Sequence, residues 1–157
     1  MEQLSKENSE YILLLVGNGA TEKLVKRYVE EKKISNSIIF MGVRNDVAEL
    51  MNAADVFLLP SKNEGFPVTL VEAQSTGIFS LVSEKVTKEI ALTDLIEYLP
   101  INNIEPWIKR IVDNNIQVRQ SRKVDIENAG YSITFQAKNY SRWLENLYEL
   151  HAKVGGY

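Results

Sequence analysis

Short apolar segments that alternate with helical patterns constrain the fold of this chain more than any other feature of its sequence. The segments with strand character are Tyr11–Val16, Ser37–Met41, Asp55–Leu59, Ile78–Val82 and, as a short edge strand, Ile96–Leu99. Continuous apolar runs of this length are typical of parallel strands that are buried on both faces. Because strands that alternate with helices favour an α/β fold, we expect a doubly wound parallel sheet covered by helices.

The chain becomes wholly helical after its last predicted strand. Apolar residues recur at helical spacing in three predicted helices, Asn103–Asn114, Val118–Asn128 and Thr134–Lys153. The last of these helices carries an aromatic and leucine stripe from Trp143 to Tyr148, whose simplest interpretation is burial in the core.

Composition limits the chain to one ordinary soluble domain. Its 157 residues are 45% hydrophobic and 25% charged, which fits a single domain over residues 1–157. The formal charge of −3 argues against nucleic acid as a partner, since nucleic-acid-binding domains usually carry a basic face. The absence of cysteine and the single histidine, His151, exclude thiolate and histidine-cluster metal sites. No segment approaches the roughly 18 apolar residues of a membrane span, and we expect a cytoplasmic location.

Three loops follow predicted strands directly and contain the residues best suited to contact a ligand. These loops are Gly17–Gly19, Gly42–Arg44 and Ser61–Phe66. Ligands of doubly wound sheets bind at the carboxyl ends of the strands, so we expect the three loops to converge on one crevice. The first strand–helix turn lacks a full G-x-G-x-x-G pattern, which disfavours an unrelated dinucleotide-binding protein.

The segment Asn63–Gly77 (NEGFPVTLVEAQSTG) predicts a loop that enters a helix. Pro67 suits the first helical position, where its missing N–H would have no intrahelical partner, and this makes Phe66 the predicted N-cap. Phenylalanine has no side-chain oxygen to accept the N–H groups of the first turn, so those donors stay free. Free donors at the positive end of a helix, beside Gly65 where the backbone can approach a ligand, indicate an anion-binding site.

These motifs resemble the donor-binding half of retaining glycosyltransferases of the GT-B fold, the glycosyl transferases group 1 or family 4 type. The similar stretches are, in chain order, LLLVGNG, IIFMGVRNDV, ADVFLLPSKNEGFPVTLVEAQSTG and LVSEKVTKE. The most specific element is the pair Glu64 and Glu72 around the Gly-Phe-Pro turn. The resemblance covers nearly the whole chain and implies a Rossmann-like sheet, one half of a GT-B fold, with a helical C-terminal end.

The resemblance implies a site for a nucleotide-diphosphate sugar, with a UDP-sugar as the expected donor. Glu72 would accept hydrogen bonds from the ribose hydroxyls, which suits an acceptor-only carboxylate. Glu64 is the implied catalytic residue and would hold the sugar. The backbone groups implied to hold the sugar and diphosphate belong to Gly65, Phe66, Pro67 and Val68.

The resemblance also assigns residues in the two earlier loops. Val43 and Arg44 correspond to the family's base-binding loop, and Gly17 and Gly19 to backbone that passes near the phosphates. Such enzymes transfer a hexose-type sugar to a saccharide or lipid acceptor with retention. They generally need no metal or other cofactor, because protein donors and helix ends stabilise the departing diphosphate.

The same resemblance implies that this chain is one part of a larger catalytic unit. In the family an acceptor-binding domain comes first, and the donor-binding domain begins with a strand and a helix that carry a basic Arg and Lys pair. The start of this sequence, MEQLSKENSE, resembles only the tail of that helix. We therefore expect a domain incomplete at its N-terminus, with the acceptor domain in the same or a partner chain and no turnover by this chain alone. Any membrane contact would come through the absent domain.

Simpler alternatives exist for these assignments. Glu72 would be an acid near a helix N-terminus, Glu64 a solvated loop acid and Arg44 a solvated side chain, while Gly17 and Gly19 would only mark turns. The whole chain would then be a non-catalytic module that uses the fold for assembly or regulation. For the final helix, the resemblance implies a different interpretation: the helix would reach the partner domain, and its apolar surface would be exposed when that domain is missing.

Overall fold

The computed structural model describes residues 1–8, 10–113 and 119–154, and it divides into two compact units. The first unit contains the described residues of 1–50 and 102–114, and the second contains those of 51–101 and 115–157. Helix α3 (Val47–Ala53) crosses the sequence boundary between the two.

The first unit is built around a pair of parallel strands. Its elements are α1 (Leu4–Glu7), β1 (Leu13–Val16), α2 (Glu22–Glu31), a 3₁₀ turn (Ser35–Ser37), β2 (Ile38–Gly42) and α5 (Glu105–Val112). Leu13 lies opposite Ile38, and a shift after Leu15 places Val16 opposite Gly42. The predicted parallel pairing of the first two strands is therefore confirmed.

The second unit is built around a three-stranded parallel sheet with the order β3–β4–β5. Its elements are β3 (Val56–Leu59), α4 (Val68–Thr76), β4 (Phe79–Ser83), a 3₁₀ turn (Lys88–Ile90), β5 (Ile96–Leu99), α6 (Lys123–Ile126), a wide helical turn (Glu127–Tyr131) and α7 (Ile133–Val154). The core residues that pack together are Leu70, Val71, Val82, Val86, Ile90 and Ile126. The predicted edge strand is confirmed at both of its bounds and at its place in the sheet, because β5 pairs with β4 and closes the strand order.

A buried amide fixes α4 against the loop that precedes β5. Gln74 is completely buried, and its Nε2 donates to the carbonyl oxygens of Leu70 and Ile90 at 3.1 and 2.9 Å. Its Oε1 accepts the N–H groups of Leu92 and Thr93 at 2.9 and 3.0 Å, and the Thr93 hydroxyl at 3.1 Å. Because a buried amide must satisfy these groups, the network specifies one orientation of the helix.

The C-terminal end of α4 is held by a segment from much later in the chain. Gly77 ends the helix with a left-handed backbone (φ 79°), which favours glycine. A Cβ at this position would overlap the carbonyl oxygen of Gln120 and lie 2.8 Å from its carbonyl carbon. The Ser75 carbonyl oxygen accepts the Arg122 N–H at 3.1 Å and the Ser121 hydroxyl at 3.2 Å. The residues that follow Gln120 are therefore hydrogen-bonded to the last turn of α4.

Helix α7 is exposed along almost all of its described length. Its aromatic residues include Trp143, which is 53% exposed, and Tyr148, which is 78% exposed. The interpretation of this stripe as core is wrong, and the alternative of an exposed apolar surface is confirmed. Periodicity locates an apolar face but does not show what covers it.

The other predicted helices differ from the observed ones mainly at their ends. The helix predicted over Asn103–Asn114 is α5, which begins at Glu105. The helix predicted over Val118–Asn128 is observed as α6 followed by the wide turn, in which Gly130 is left-handed (φ 92°). Asn114 and Val118 lie outside the described residues. No helix within the described ranges has the length and apolar character needed to span a bilayer.

Candidate functional site

The loop between β3 and α4 orients the Glu64 carboxylate. Ser61 lies just after the strand, and its hydroxyl donates to Glu64 Oε1 at 2.7 Å. Both side chains are half-buried, so the carboxylate keeps one oxygen bonded to the protein and remains accessible from outside. Ser61 was not among the predicted site residues, although its spacing of three from Glu64 across a turn could have indicated the contact.

The start of α4 differs by one residue from the prediction. Pro67 is the N-cap rather than the first helical residue, with φ −76° and an extended ψ of 92°, and the helix begins at Val68. The assignment of Phe66 as N-cap is therefore wrong. Proline fixes φ but leaves ψ free, and here the extended ψ keeps Pro67 outside the helix while its carbonyl oxygen accepts the Leu70 N–H at 2.9 Å.

Placing the N-cap at Pro67 rather than Phe66 still leaves the first turn of α4 without a side-chain acceptor. Proline, like phenylalanine, has no side-chain oxygen, and the N-cap of α4 makes no side-chain hydrogen bond to the first turn. Val68 and not Pro67 is the first residue of this turn, and it supplies an N–H that proline lacks. The N-terminal end of α4 is thus suited to an anionic ligand that accepts hydrogen bonds from its N–H groups.

Glu72 lies on the exposed face of the same helix. The residues of α4 that face the core are Leu70, Val71, Ala73 and Gln74. Glu72 is exposed, as are Val68 and Thr69, which precede it by one helical turn. Residues three and four apart share a helix face, so the Glu72 carboxylate and the first turn of α4 are available to one ligand.

Phe66 contacts an aromatic residue from the C-terminal part of the chain. Its ring stacks on Tyr131 with the centroids 5.8 Å apart and the planes inclined by 13°. Gly65, which precedes it, is exposed, and a Cβ there would meet no atom within 4 Å. Tyr131 was not predicted as a site residue, since nothing local in the sequence connects it with a loop so far away.

The remaining predicted residues lie in the first unit. Gly17 has a left-handed backbone (φ 115°), and its N–H donates to the Gly42 carbonyl oxygen at 2.7 Å, which joins the ends of β1 and β2. The Gly19 carbonyl oxygen accepts the Glu22 N–H at 3.1 Å as α2 begins. Val43 is 70% exposed. The two glycines therefore form turns, and their predicted contact with phosphates stays a prediction.

Arg44 is paired with an acid two residues later. Its Nε donates to Asp46 Oδ1 at 2.8 Å, and its Nη2 donates to Asp46 Oδ2. The hydrogen bond from Arg44 holds the pKa of Asp46 below its ordinary value, and the same bond raises the pKa of Arg44. Both side chains are solvent-accessible, so this pair sets the direction of the guanidinium and contributes little stability.

Metal binding finds no support in the described side chains. Among residues 1–8, 10–113 and 119–151, no three His, Cys, Asp or Glu side chains group in a way that would hold a metal ion. The absence of a metal requirement stays a prediction.

Comparison with known proteins decides the family. The sequence model of the family described as glycosyl transferases group 1 matches residues 1–91, which is more than half of the chain. The chain belongs to this family. The match includes the complete segment from β3 through α4, and thus both glutamates of the candidate site.

Two curated relatives show how much of a glycosyltransferase this chain spans. EpsF of Bacillus subtilis (strain 168) is 27% identical over 149 residues, which cover 94% of this chain and 38% of EpsF. The UDP-Gal:alpha-D-GlcNAc-diphosphoundecaprenol alpha-1,3-galactosyltransferase of Escherichia coli is 30% identical over 104 residues, which cover 64% of this chain and 27% of that enzyme. The chain thus spans well under half the length of these relatives.

A solved structure confirms the fold class. HepE of Anabaena, crystallised in complex with UDP, is 17% identical and superposes with a TM-score of 0.66 over 91% of this chain and 43% of HepE. This likeness confirms the predicted α/β, Rossmann-like fold that forms one half of a GT-B glycosyltransferase. The roles of individual site residues are not tested by it.

Proposed function

We propose that this glycosyltransferase chain binds the nucleotide-diphosphate part of a UDP-sugar at the N-terminal end of α4. The observation that carries the proposal is the arrangement of two carboxylates about that helix end: Glu64 is oriented by Ser61 in the entering loop, and Glu72 is exposed one turn into the helix. Between them lie the backbone of Gly65, Phe66 and Pro67 and the first helical residue, Val68.

The chemistry of Glu64, of Glu72 and of the N-terminal end of α4 is complementary to a nucleotide-diphosphate sugar. A diphosphate accepts hydrogen bonds, which the N–H groups of Val68 and Thr69 at the uncapped start of α4 can donate. Ribose and hexose hydroxyls donate hydrogen bonds, which the two carboxylates accept. The Escherichia coli relative is named for a UDP-Gal donor and HepE was crystallised with UDP, and both support UDP as the nucleotide.

In the complete enzyme this site would serve transfer of a hexose-type sugar, with retention, to a saccharide or lipid acceptor. Glu64 would contact the transferred sugar, and the donors at α4 would stabilise the charge that develops on the departing diphosphate. No metal or other cofactor enters this proposal. The acceptor would be bound by another domain in the same or a partner chain, and the enzyme would act in polysaccharide biosynthesis in the cytoplasm.

Titration of the chain with UDP, followed by calorimetry, tests the proposal. Saturable binding is expected, and Glu72→Ala should weaken it at least about tenfold, since hydrogen bonds to charged groups contribute about 1.5–3 kcal/mol. Glu145→Ala is the matched control, because Glu145 is also an exposed helical glutamate and its loss changes the net charge equally. Absence of binding at millimolar UDP, or an equal effect of both substitutions, would contradict the proposal.

A further inference from the structure

In the loop that enters α4, Phe66 is restrained by stacking on Tyr131. Phe66 and Tyr131 are both partly exposed, at 48% and 40%, yet their rings lie nearly parallel at 5.8 Å. A Cβ on Gly65 would meet no atom within 4 Å, so nothing packs against that side of its backbone. The Ser61–Glu64 hydrogen bond restrains the loop before Gly65, and the aromatic stack restrains it after Gly65.

Tyr131 itself is anchored from both sides. It ends the wide turn that follows α6, whose Ile126 is buried in the core at 4% exposure. After Tyr131, Gln136 makes two hydrogen bonds to the backbone on either side of the tyrosine. Its side-chain Nε2 donates to the Gly130 carbonyl oxygen at 2.7 Å, and its backbone N–H donates to the Ser132 carbonyl oxygen at 2.9 Å. The backbone on both sides of Tyr131 is therefore held in place, and its ring stacks on Phe66.

We infer that Tyr131 is a positioning residue for the donor site, because its ring stacks on Phe66 and so holds the path of Gly65 and Phe66 into α4. The inference rests on the proposed function, and it adds a residue from the C-terminal part of the chain that would not touch the donor. The ring provides the contact: the Tyr131 hydroxyl makes no hydrogen bond to any residue that the structure describes.

Three variants separate this role from a general effect of removing an aromatic residue. Tyr131→Ala should weaken UDP binding about three- to tenfold, the range expected for loss of one aromatic pair. Tyr131→Phe keeps the stacked ring and should restore the affinity of the unaltered chain. Tyr140→Ala is the control, since Tyr140 is 62% exposed and stacks on Trp143 at 5.6 Å within α7. It should leave UDP affinity unchanged.

Hydrogen exchange of the loop amides without ligand gives an independent measurement. The amides of residues 65, 66 and 68 should exchange faster in Tyr131→Ala than in the unaltered chain, and at the original rate in Tyr131→Phe and Tyr140→Ala. If Tyr131→Ala does not fold, Tyr131→Leu keeps apolar bulk without the ring and takes its place.

The outcomes distinguish this inference from the proposed function. If the unaltered chain binds UDP but Tyr131→Ala binds equally well and exchanges at the same rate, the inference is wrong and the proposed function stands. If the unaltered chain binds no UDP, the donor role fails for both.

Discussion

Replacement of Gly77 by alanine should destabilise the chain by about 2–5 kcal/mol, through two costs that the structure allows us to separate. The first cost is conformational: Gly77 has φ 79°, and a left-handed backbone costs an L-residue roughly 1–2 kcal/mol. The second cost is steric. The new Cβ would overlap the Gln120 carbonyl oxygen, which is backbone and cannot rotate away.

Relief of that overlap requires movement of the segment that carries Gln120. The movement would stretch the two hydrogen bonds that Arg122 N–H and Ser121 Oγ donate to Ser75. Each such bond contributes about 0.5–1.5 kcal/mol, so their loss adds about 1–3 kcal/mol to the conformational cost.

Gly130 provides a matched control for this experiment. Its backbone is also left-handed (φ 92°), but a Cβ there would lie 3.6 Å from the nearest atom, the end of the Gln136 side chain. Gly130→Ala should therefore show only the conformational cost, roughly 1–2 kcal/mol. Urea unfolding followed by circular dichroism measures both free energies. Equal losses in the two variants would refute the reasoning, because they would show that Gln120 does not pack against Gly77.

Three further predictions follow from individual contacts. Gln74→Leu should lower the free energy of unfolding by about 2–4 kcal/mol, because it leaves the Ile90 carbonyl and the Leu92 and Thr93 N–H groups without their partner. In the same urea titration, the control Gln136→Leu, at an exposed position, should lower the free energy of unfolding by less than half as much. Ser61→Ala should weaken UDP binding about two- to tenfold in calorimetry through loss of the Glu64 contact, and no change would show that Ser61 does not orient the carboxylate. Burial raises the pKa of Tyr98 above its ordinary value of about 10, so its contribution to stability is complete below pH 10 and is lost as the pH rises through the folded-state pKa. The stability difference between the unaltered chain and Tyr98→Phe should accordingly narrow as the pH rises above 10, and a difference independent of pH would contradict this.

Features determined by local sequence could be predicted. The edge strand Ile96–Leu99 was predicted at its observed bounds, and the left-handed end of α4 coincides with the end of the predicted helix at Gly77. Strand type and turn position depend on residues within a few positions of each other, so pattern alone locates them. The error at Pro67 has a different origin, since proline determines its own φ but leaves ψ to the surrounding structure.

Features determined by distant contacts could not be predicted. Tyr131 on Phe66 and Gln120 against Gly77 each join residues that no local pattern connects. The exposure of Trp143 and its neighbours on α7 also depends on what packs against the helix, and the apolar periodicity of the helix does not indicate this. The two acids of the candidate site were assigned by resemblance, whereas the contact of Ser61 with one of them is local and its spacing could have indicated it.

The most direct test of the donor site compares UDP with its 2′,3′-dideoxy analogue in calorimetric titrations of the unaltered chain and of Glu72→Ala. If Glu72 accepts hydrogen bonds from the ribose hydroxyls, removal of the carboxylate and removal of the hydroxyls delete the same interaction. Glu72→Ala should then weaken UDP binding at least about tenfold and leave the affinity for the dideoxy analogue unchanged. An equal loss of affinity for both ligands, or no binding of UDP by the unaltered chain, would contradict the account.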